Sequence, residues 1–205
     1  MNLMNSHNNI NEVKTFFSTP IWTSLISHYK ELNADLMEYI ENLKENDPEG
    51  LKRSNNIGWH SKDFNLQDSV PKKFINAISK NINKAITDMG WDLKKNHIKI
   101  TSMWSIININ QASNHRHIHS NNYISAAYYL KAPNNCGDIV FYDPRESRIV
   151  RKPKIQFKNE LNAETVNISP KEGALVLFPS FLHHSVNPNL SNSERVVVSF
   201  NIDLI

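Results

Sequence analysis

The side chains best equipped for chemistry stand together in Asn114-His115-Arg116-His117-Ile118-His119, where three imidazoles occupy alternate positions. In an extended chain, residues two apart project to the same face. The preceding Met103–Asn110 stretch reads as a strand, and if it resumes after the Gln111–Ser113 break, His115, His117 and His119 all aim one way. Neutral imidazole is the commonest protein ligand for zinc, iron, copper and nickel, so two on one strand make half of a metal site. A single such His is equally well explained as a solvated strand end. The alternating trio argues against that, and a fourth His from elsewhere argues further. It comes from the segment Gly173 to Pro188, where an apolar strand turns into His183-His184. Neighbours on a regular strand point to opposite sides, so only one of this pair is expected to ligate.

Five elements follow one another in a fixed order: His117-Ile118-His119; Ser125-Ala126-Ala127-Tyr128-Tyr129-Leu130; Asp143-Pro144-Arg145; Phe178 to Pro188; and Arg195. In this the chain resembles the iron(II)/2-oxoglutarate-dependent oxygenases, in a branch met in phage and marine bacterial genomes. The resemblance spans roughly residues 100 to 203, with weaker echoes at Ser18-Thr19-Pro20-Ile21 and Gly58-Trp59-His60-Ser61. It implies Fe(II) and 2-oxoglutarate as cofactors, and a dioxygenase that uses O2 to hydroxylate a substrate it does not identify, releasing succinate and CO2. By motif position His117 is the first metal ligand, His184 the distal one, and His119 stands where most relatives carry Asp or Glu. That departure leaves a bound metal with one more unit of positive charge than two His and one carboxylate would. His115 and His117 share the spacing, so ligation by that pair stays open. Arg195 follows His184 by eleven residues, the separation at which relatives pair an Arg with the far carboxylate of 2-oxoglutarate. A guanidinium suits that task through a bidentate, charge-assisted fork. Asn108, Tyr128 and Ser199 are the expected remainder of the cosubstrate pocket. Tyr128 and Tyr129 are adjacent on one strand, so at most one lines it. Phe178 and Phe181 would be dry walls.

Two rival readings use the same residues. A zinc-binding jelly roll also employs three His and an open position, for hydration or hydrolysis, but needs a general base, and no Glu lies beside the His cluster in sequence. A non-enzymatic binding or structural jelly roll would not require Arg195, Tyr128 and His184 to converge.

The elements that must position these groups fall into two parts. Up to residue 97 the chain predicts helical support and an edge strand; residues 98–205 predict a jelly-roll core, within a single oxygenase-like domain of 205 residues. The class is mainly β with flanking helices (α+β), its core a double-stranded β-helix. Leu32, Leu36, Ile40 and Leu43 recur at helical spacing over about 32–45, with Asn33 a candidate cap; Phe74, Ile78, Ile82 and Ile86 do so over about 71–89, where Pro71 suits the first position and Gly90 the C-terminal cap. Phe16 to Trp22 reads as an edge strand, and Ile57-Gly58-Trp59-His60 as a loop leading inward. From Ile98 the period becomes two, giving strands at 98–109, 123–131, 138–142, 165–168, 174–178 and 195–204. Such runs of short strands point to a sandwich or jelly roll. Residues 146–164 lack a period and read as a long hairpin or loop over the site mouth or, equally well, as a solvated charged hairpin.

Twenty-three basic against 20 acidic residues, interspersed, give a net charge of +3 and predict no nucleic-acid partner. One cysteine, Cys136 in a turn-like stretch, excludes an intramolecular disulfide and fits a reducing compartment. No apolar run approaches the roughly 20 residues that cross a bilayer, and Met1 to Asn11 lacks a signal-peptide pattern. The expected location is cytoplasmic, in a host cell if the phage resemblance extends to origin.

Overall fold

The structure, a computed structural model, describes residues 13–145 and 153–205. Among these residues two helices and eleven strands succeed one another in the order β1 (Trp22–Leu25), α1 (Tyr29–Asn46), β2 (Asn55–Asn56), β3 (Trp59–His60), α2 (Ser69–Asp88), β4 (Ile98–Asn108), β5 (Ser113–His117), β6 (Ile124–Lys131), β7 (Ile139–Tyr142), β8 (Thr165–Ile168), β9 (Ala174–Pro179), β10 (His184–Val186) and β11 (Arg195–Leu204). They form a six-stranded sheet, β1-β9-β6-β11-β4-β3, and a five-stranded sheet, β2-β5-β10-β7-β8, with every pairing antiparallel. The expected jelly roll is the observed architecture, and each strand expected after Ile98 is present within a residue of its bounds.

Strand β11 is the spine, flanked by β4 from Ile98 to Asn108 and by β6 from Ile124 to Lys131. Its alternation sorts the sheet into two faces. Val196, Val198, Phe200 and Ile202 join Met103, Tyr128, Leu175 and Leu177 in one core with the apolar stripes of α1 and α2, including Leu36, Ile40, Phe74, Ile78 and Ile86. Val197 turns the other way, to a smaller core between the sheets with Tyr129, Phe141, Val176 and Phe178. The helices are therefore a cover on one face, and the chemistry-bearing residues belong to the other.

Several local expectations are corrected. Helix α1 begins at Tyr29 after His28, so Asn33 is interior. Its buried side chain donates to the Leu130 carbonyl (2.8 Å) and accepts from the Tyr128 hydroxyl (2.7 Å), tying the helix to the sheet. Helix α2 begins two residues before Pro71, at Ser69; a proline in the first turn has no intrahelical bond to lose. Gly90 closes it with φ +70°, its N–H on the Thr87 carbonyl. The edge strand starts only at Trp22, after the Pro20 interruption, and Trp59-His60 is a two-residue strand on β4 rather than loop. Of the loop at 146–164, residues 146–152 lie outside the described residues. In the remainder, Glu160, Leu161, Ala163 and Glu164 line a separate depression of about 420 Å³ with residues 14–19, not the mouth of the histidine cavity.

Candidate metal and cosubstrate site

A cavity of about 700 Å³ opens between the sheets, lined from the six-stranded side by Trp104, Tyr129, Arg195, Ser199 and Asn201, and from the other by His117, His184 and Val186. Antiparallel pairing of β10 with β5 sets His184 directly opposite His117. His119 lies just past β5, and its backbone N–H is held by the Ser180 carbonyl (3.0 Å). One ligand atom from each of His117, His119 and His184 lies within 4.8 Å of the others, an arrangement that could hold a metal ion. His115 is outside this cluster and exposed.

In each ring Nδ1 is engaged by an oxygen that can only accept or is placed to accept: the His115 carbonyl for His117 (2.7 Å), Asn201 Oδ1 for His119 (2.6 Å), the Leu182 carbonyl for His184 (3.0 Å). A backbone carbonyl next to Nδ1 requires the proton there, so the lone pair falls on Nε2. His117 Nε2 and His119 Nε2 then face each other at 3.2 Å. Two lone pairs so placed repel; a proton on one nitrogen or a metal ion between the two relieves this, and the donor set fits a metal. Burial reinforces this by disfavouring the imidazolium form. It pushes His184 down to about 3, with the charges of His117 and His119 adding to it, and His119 down to about 4; His117 is lowered too, again chiefly by burial. Phe178 stands 4.6 Å from the His184 ring and Trp104 5.5 Å from His119, centroid to centroid. These aromatic walls supply the low-dielectric surroundings.

Arg195 opens β11 and is 1 % exposed. Its Nη1 donates to the carbonyls of Cys136, Gly137 (2.9 Å) and Asn187 (3.4 Å). The cradle depends on Gly137 at φ +86°, where a Cβ would stand 2.2 Å from the Asn187 carbonyl oxygen. The turn around Cys136, silent in sequence, thus holds one end of the guanidinium by its backbone. Glu194, the obvious neighbour for a surface pair, turns instead to Lys44 (3.8 Å). Nε and Nη2 of Arg195 are buried without a partner. A buried charged donor left unsatisfied is costly, and these two nitrogens form one edge of the guanidinium, the side-on fork that a carboxylate fills.

Asn108 is paired in register with Arg195 across β4 and β11, and both it and Ser199 line the cavity. Tyr128 does not. It faces the helices, 4.9 Å from Phe74, and its hydroxyl is spent on Asn33. The strand period gives the cavity position to Tyr129, fully buried beside Arg195, whose positive charge opposes the strong upward pull of burial on the phenol. Phe178 is a wall of the cavity, whereas Phe181 is 57 % exposed and outside it. Asp143 and Arg145 pair with each other at 2.9 Å on the outer depression. Asn201 and Trp104 carried no sequence signal beyond strand alternation, yet both flank His119.

Two antiparallel sheets around a three-imidazole cluster and a buried, half-satisfied arginine define the class: a jelly-roll protein with an internal metal-type site. Residues 102–201, just under half of the chain, match the family described as "Putative 2OG-Fe(II) oxygenase". A search of curated protein sequences gave no match. Among solved structures, the chain is similar to a prolyl-4-hydroxylase from Pseudomonas putida (TM-score 0.64, 12 % identity, covering 91 % of this chain and 93 % of that one). It is also similar to the viral collagen prolyl hydroxylase of Paramecium Bursaria Chlorella virus-1, solved with 2-oxoglutarate (0.58, 14 %, 89 % and 94 %). A third similar structure is HygX from Streptomyces hygroscopicus, solved with nickel and 2-oxoglutarate (0.62, 9 %, 90 % and 83 %). At these identities the likeness is one of fold. No helix among the described residues is long and apolar enough to cross a membrane.

Proposed function

We propose that this protein is an Fe(II)- and 2-oxoglutarate-dependent dioxygenase that hydroxylates a substrate and releases succinate and CO2. The observation that carries the reading is the meeting, in one cavity, of three imidazoles close enough to hold one metal ion and an arginine with one open edge. His117, His119 and His184 would hold the iron. Bound iron and 2-oxoglutarate would supply O2-driven oxidation of a C–H bond coupled to oxidative decarboxylation of the cosubstrate. Arg195 would take the far carboxylate through Nε and Nη2, its other end already anchored by the carbonyls of Cys136, Gly137 and Asn187. Tyr129, Asn108 and Ser199 line the same cavity, where a hydroxyl or amide can donate to a carboxylate oxygen. Trp104 and Phe178 exclude water from the His119 and His184 side.

Three neutral ligands suit this cosubstrate. Without a ligating carboxylate the metal keeps its full charge, and the anionic end of a keto acid offsets it. A zinc hydrolase would need a general base at the metal; among the described residues lining the cavity the only carboxylate is Asp63, exposed and near His60.

The test is an anaerobic titration with ferrous iron and then 2-oxoglutarate, followed by succinate release in air. A visible charge-transfer band that needs both additions, together with succinate formation, is the expected result. Stoichiometric zinc binding with no band would leave the zinc reading ahead, and no metal binding would leave the non-enzymatic one.

A further inference from the structure

Where the metal-holding His of proteins commonly lean on a carboxylate or a backbone carbonyl, His119 leans on a neutral amide. Its Nδ1 meets Asn201 Oδ1 at 2.6 Å. An amide can present either end. An oxygen toward the ring draws the proton to Nδ1 and bares Nε2; an NH2 group in the same place would move the proton to Nε2, where it would point at His117 Nε2, 3.2 Å away. The rotamer of one amide therefore decides whether the third imidazole offers a lone pair or a proton to the cluster.

The sheet holds that amide from both sides. In the register of β11, Asn201 pairs with Ser102 on β4 and with Ser125 on β6, so three polar side chains form a row across a sheet whose opposite face is apolar. Ser125 Oγ donates to Asn201 Oδ1 at 2.8 Å, and Asn201 Nδ2 donates to Ser102 Oγ at 3.0 Å. Ser125 Oγ in turn lies 2.7 Å from Ser180 Oγ, and Ser180 is the residue whose carbonyl takes the backbone N–H of His119. Ser125 and Ser180 are fully buried and Asn201 is 8 % exposed. The row thus grips His119 at two points, main chain and ring.

We propose that Asn201 is a positioning residue, oriented by Ser102 and Ser125, that keeps His119 in the Nδ1–H tautomer and so lets an imidazole serve where relatives use a carboxylate. This rests on the three-His metal reading and goes beyond it by assigning what makes the third ligand competent. It also accounts for polar residues in the middle of a buried sheet, which would otherwise cost stability without return.

The experiment uses Co(II), which needs no oxygen exclusion by the reader of its spectrum, with the full chain and two variants of nearly equal size: Asn201→Leu, which has no acceptor, and Asn201→Asp, which can only accept. Loss of an outer partner to a metal-bound His typically costs 10- to 100-fold in affinity. Asn201→Leu is therefore expected to bind Co(II) about 10- to 100-fold more weakly, and Asn201→Asp at least as tightly as the parent. A merely structural role would not give that split, since both changes disturb the same packing. Long-range 1H–15N spectra of the unaltered metal-free protein provide a second readout that no folding defect can spoil, and they should show His119 protonated at Nδ1. The proposal is overturned by an Nε2–H tautomer in that spectrum, by parent-like affinity in Asn201→Leu, or by equal losses in both variants. Failure of the unaltered protein to bind Co(II) would instead remove the metal reading on which the proposal stands.

Discussion

On the helix-facing side of the six-stranded sheet, Tyr128 packs 4.9 Å from Phe74 and gives its hydroxyl to Asn33. One residue further along β6, Tyr129 faces the cavity beside Arg195. The two tyrosines share a strand, a residue type and near-complete burial, yet their surroundings differ in kind. On the helix side the apolar residues fill one another's gaps and the buried Tyr128–Asn33 pair is satisfied internally. On the cavity side buried groups are left incomplete, notably Nε and Nη2 of Arg195 and the facing Nε2 atoms of His117 and His119. Folding free energy is gained chiefly on the first face; on the proposed function, the second holds groups whose partners are ligands. If that division is right, changes on the two faces should separate binding from stability.

The largest separation is expected between His184→Ala and Phe74→Ala. His184→Ala should abolish stoichiometric Fe(II) or Co(II) binding, read by calorimetry, while the metal-free protein still unfolds cooperatively. Phe74→Ala empties part of the helix-side core and should cost about 3–5 kcal/mol in urea unfolding, with metal affinity per folded molecule unchanged. A variant at Phe74 that lost metal binding while remaining folded would break the comparison.

Between pH 7 and 5 acid should act chiefly through the cavity face. Burial holds the folded values of His184 at about 3 and His119 at about 4, below the ordinary 6.5. The unfolded chain therefore binds these protons more readily, and stability present above about pH 6.5 is lost as pH falls toward the folded values. Each imidazole contributes a slope of up to about 1.4 kcal/mol per pH unit. Urea midpoints of the metal-free protein should fall between pH 7 and 5, and a His119→Ala/His184→Ala double variant should flatten that dependence. A bound metal keeps these nitrogens unprotonated in the folded state, so it should raise the midpoints while leaving that slope in place. An unchanged slope in the double variant would assign acid sensitivity to other groups.

At the far end of the cavity, Arg195→Ala should weaken 2-oxoglutarate binding about ten- to a hundredfold, the equivalent of the roughly 1.5–3 kcal/mol of a charge-assisted hydrogen bond. Arg195→Lys should restore only part of this, because an ammonium cannot supply the fork. Metal affinity in the absence of cosubstrate should be the same in all three proteins. Parent-like cosubstrate affinity in Arg195→Ala would remove Arg195 from the site.

How much of this was legible beforehand follows from where the information sits. The strands after Ile98 could be read because alternation is a local signal, and β8 and β11 begin and end where their patterns do. His117, His119 and His184 could be read as neighbours because period-two spacing and one turn fix their faces. Alternation also said that only one of Tyr128 and Tyr129 could reach the cavity, but not which, since the sheet has apolar residues on both faces and the phase of β6 is set by packing against α1. Asn201 and the Cys136–Gly137 turn escaped notice for a different reason. Their roles depend on register across β4, β11 and β6, and on backbone carbonyls, neither of which a side-chain pattern reports.

The tyrosine pair gives the smallest and sharpest test, because the same atom is removed from each face. Tyr128→Phe deletes the hydroxyl that Asn33 Oδ1 accepts at 2.7 Å and leaves a buried acceptor unpaired. That should cost about 1–3 kcal/mol of stability and leave 2-oxoglutarate affinity as it was, since the site lies across the sheet. Tyr129→Phe removes a hydroxyl from the cavity beside Arg195, where its proposed partner is the cosubstrate rather than the protein. Stability should change by less than about 0.5 kcal/mol, in the range of substitutions that break no internal bond, while cosubstrate affinity falls about three- to tenfold, the worth of one ordinary hydrogen bond. Urea unfolding and cosubstrate titration of the two variants side by side read both quantities. Crossed outcomes, with Tyr128→Phe weakening the cosubstrate or Tyr129→Phe mainly weakening the fold, would mean that the two faces are not energetically separate and that the cavity is part of what holds the protein together.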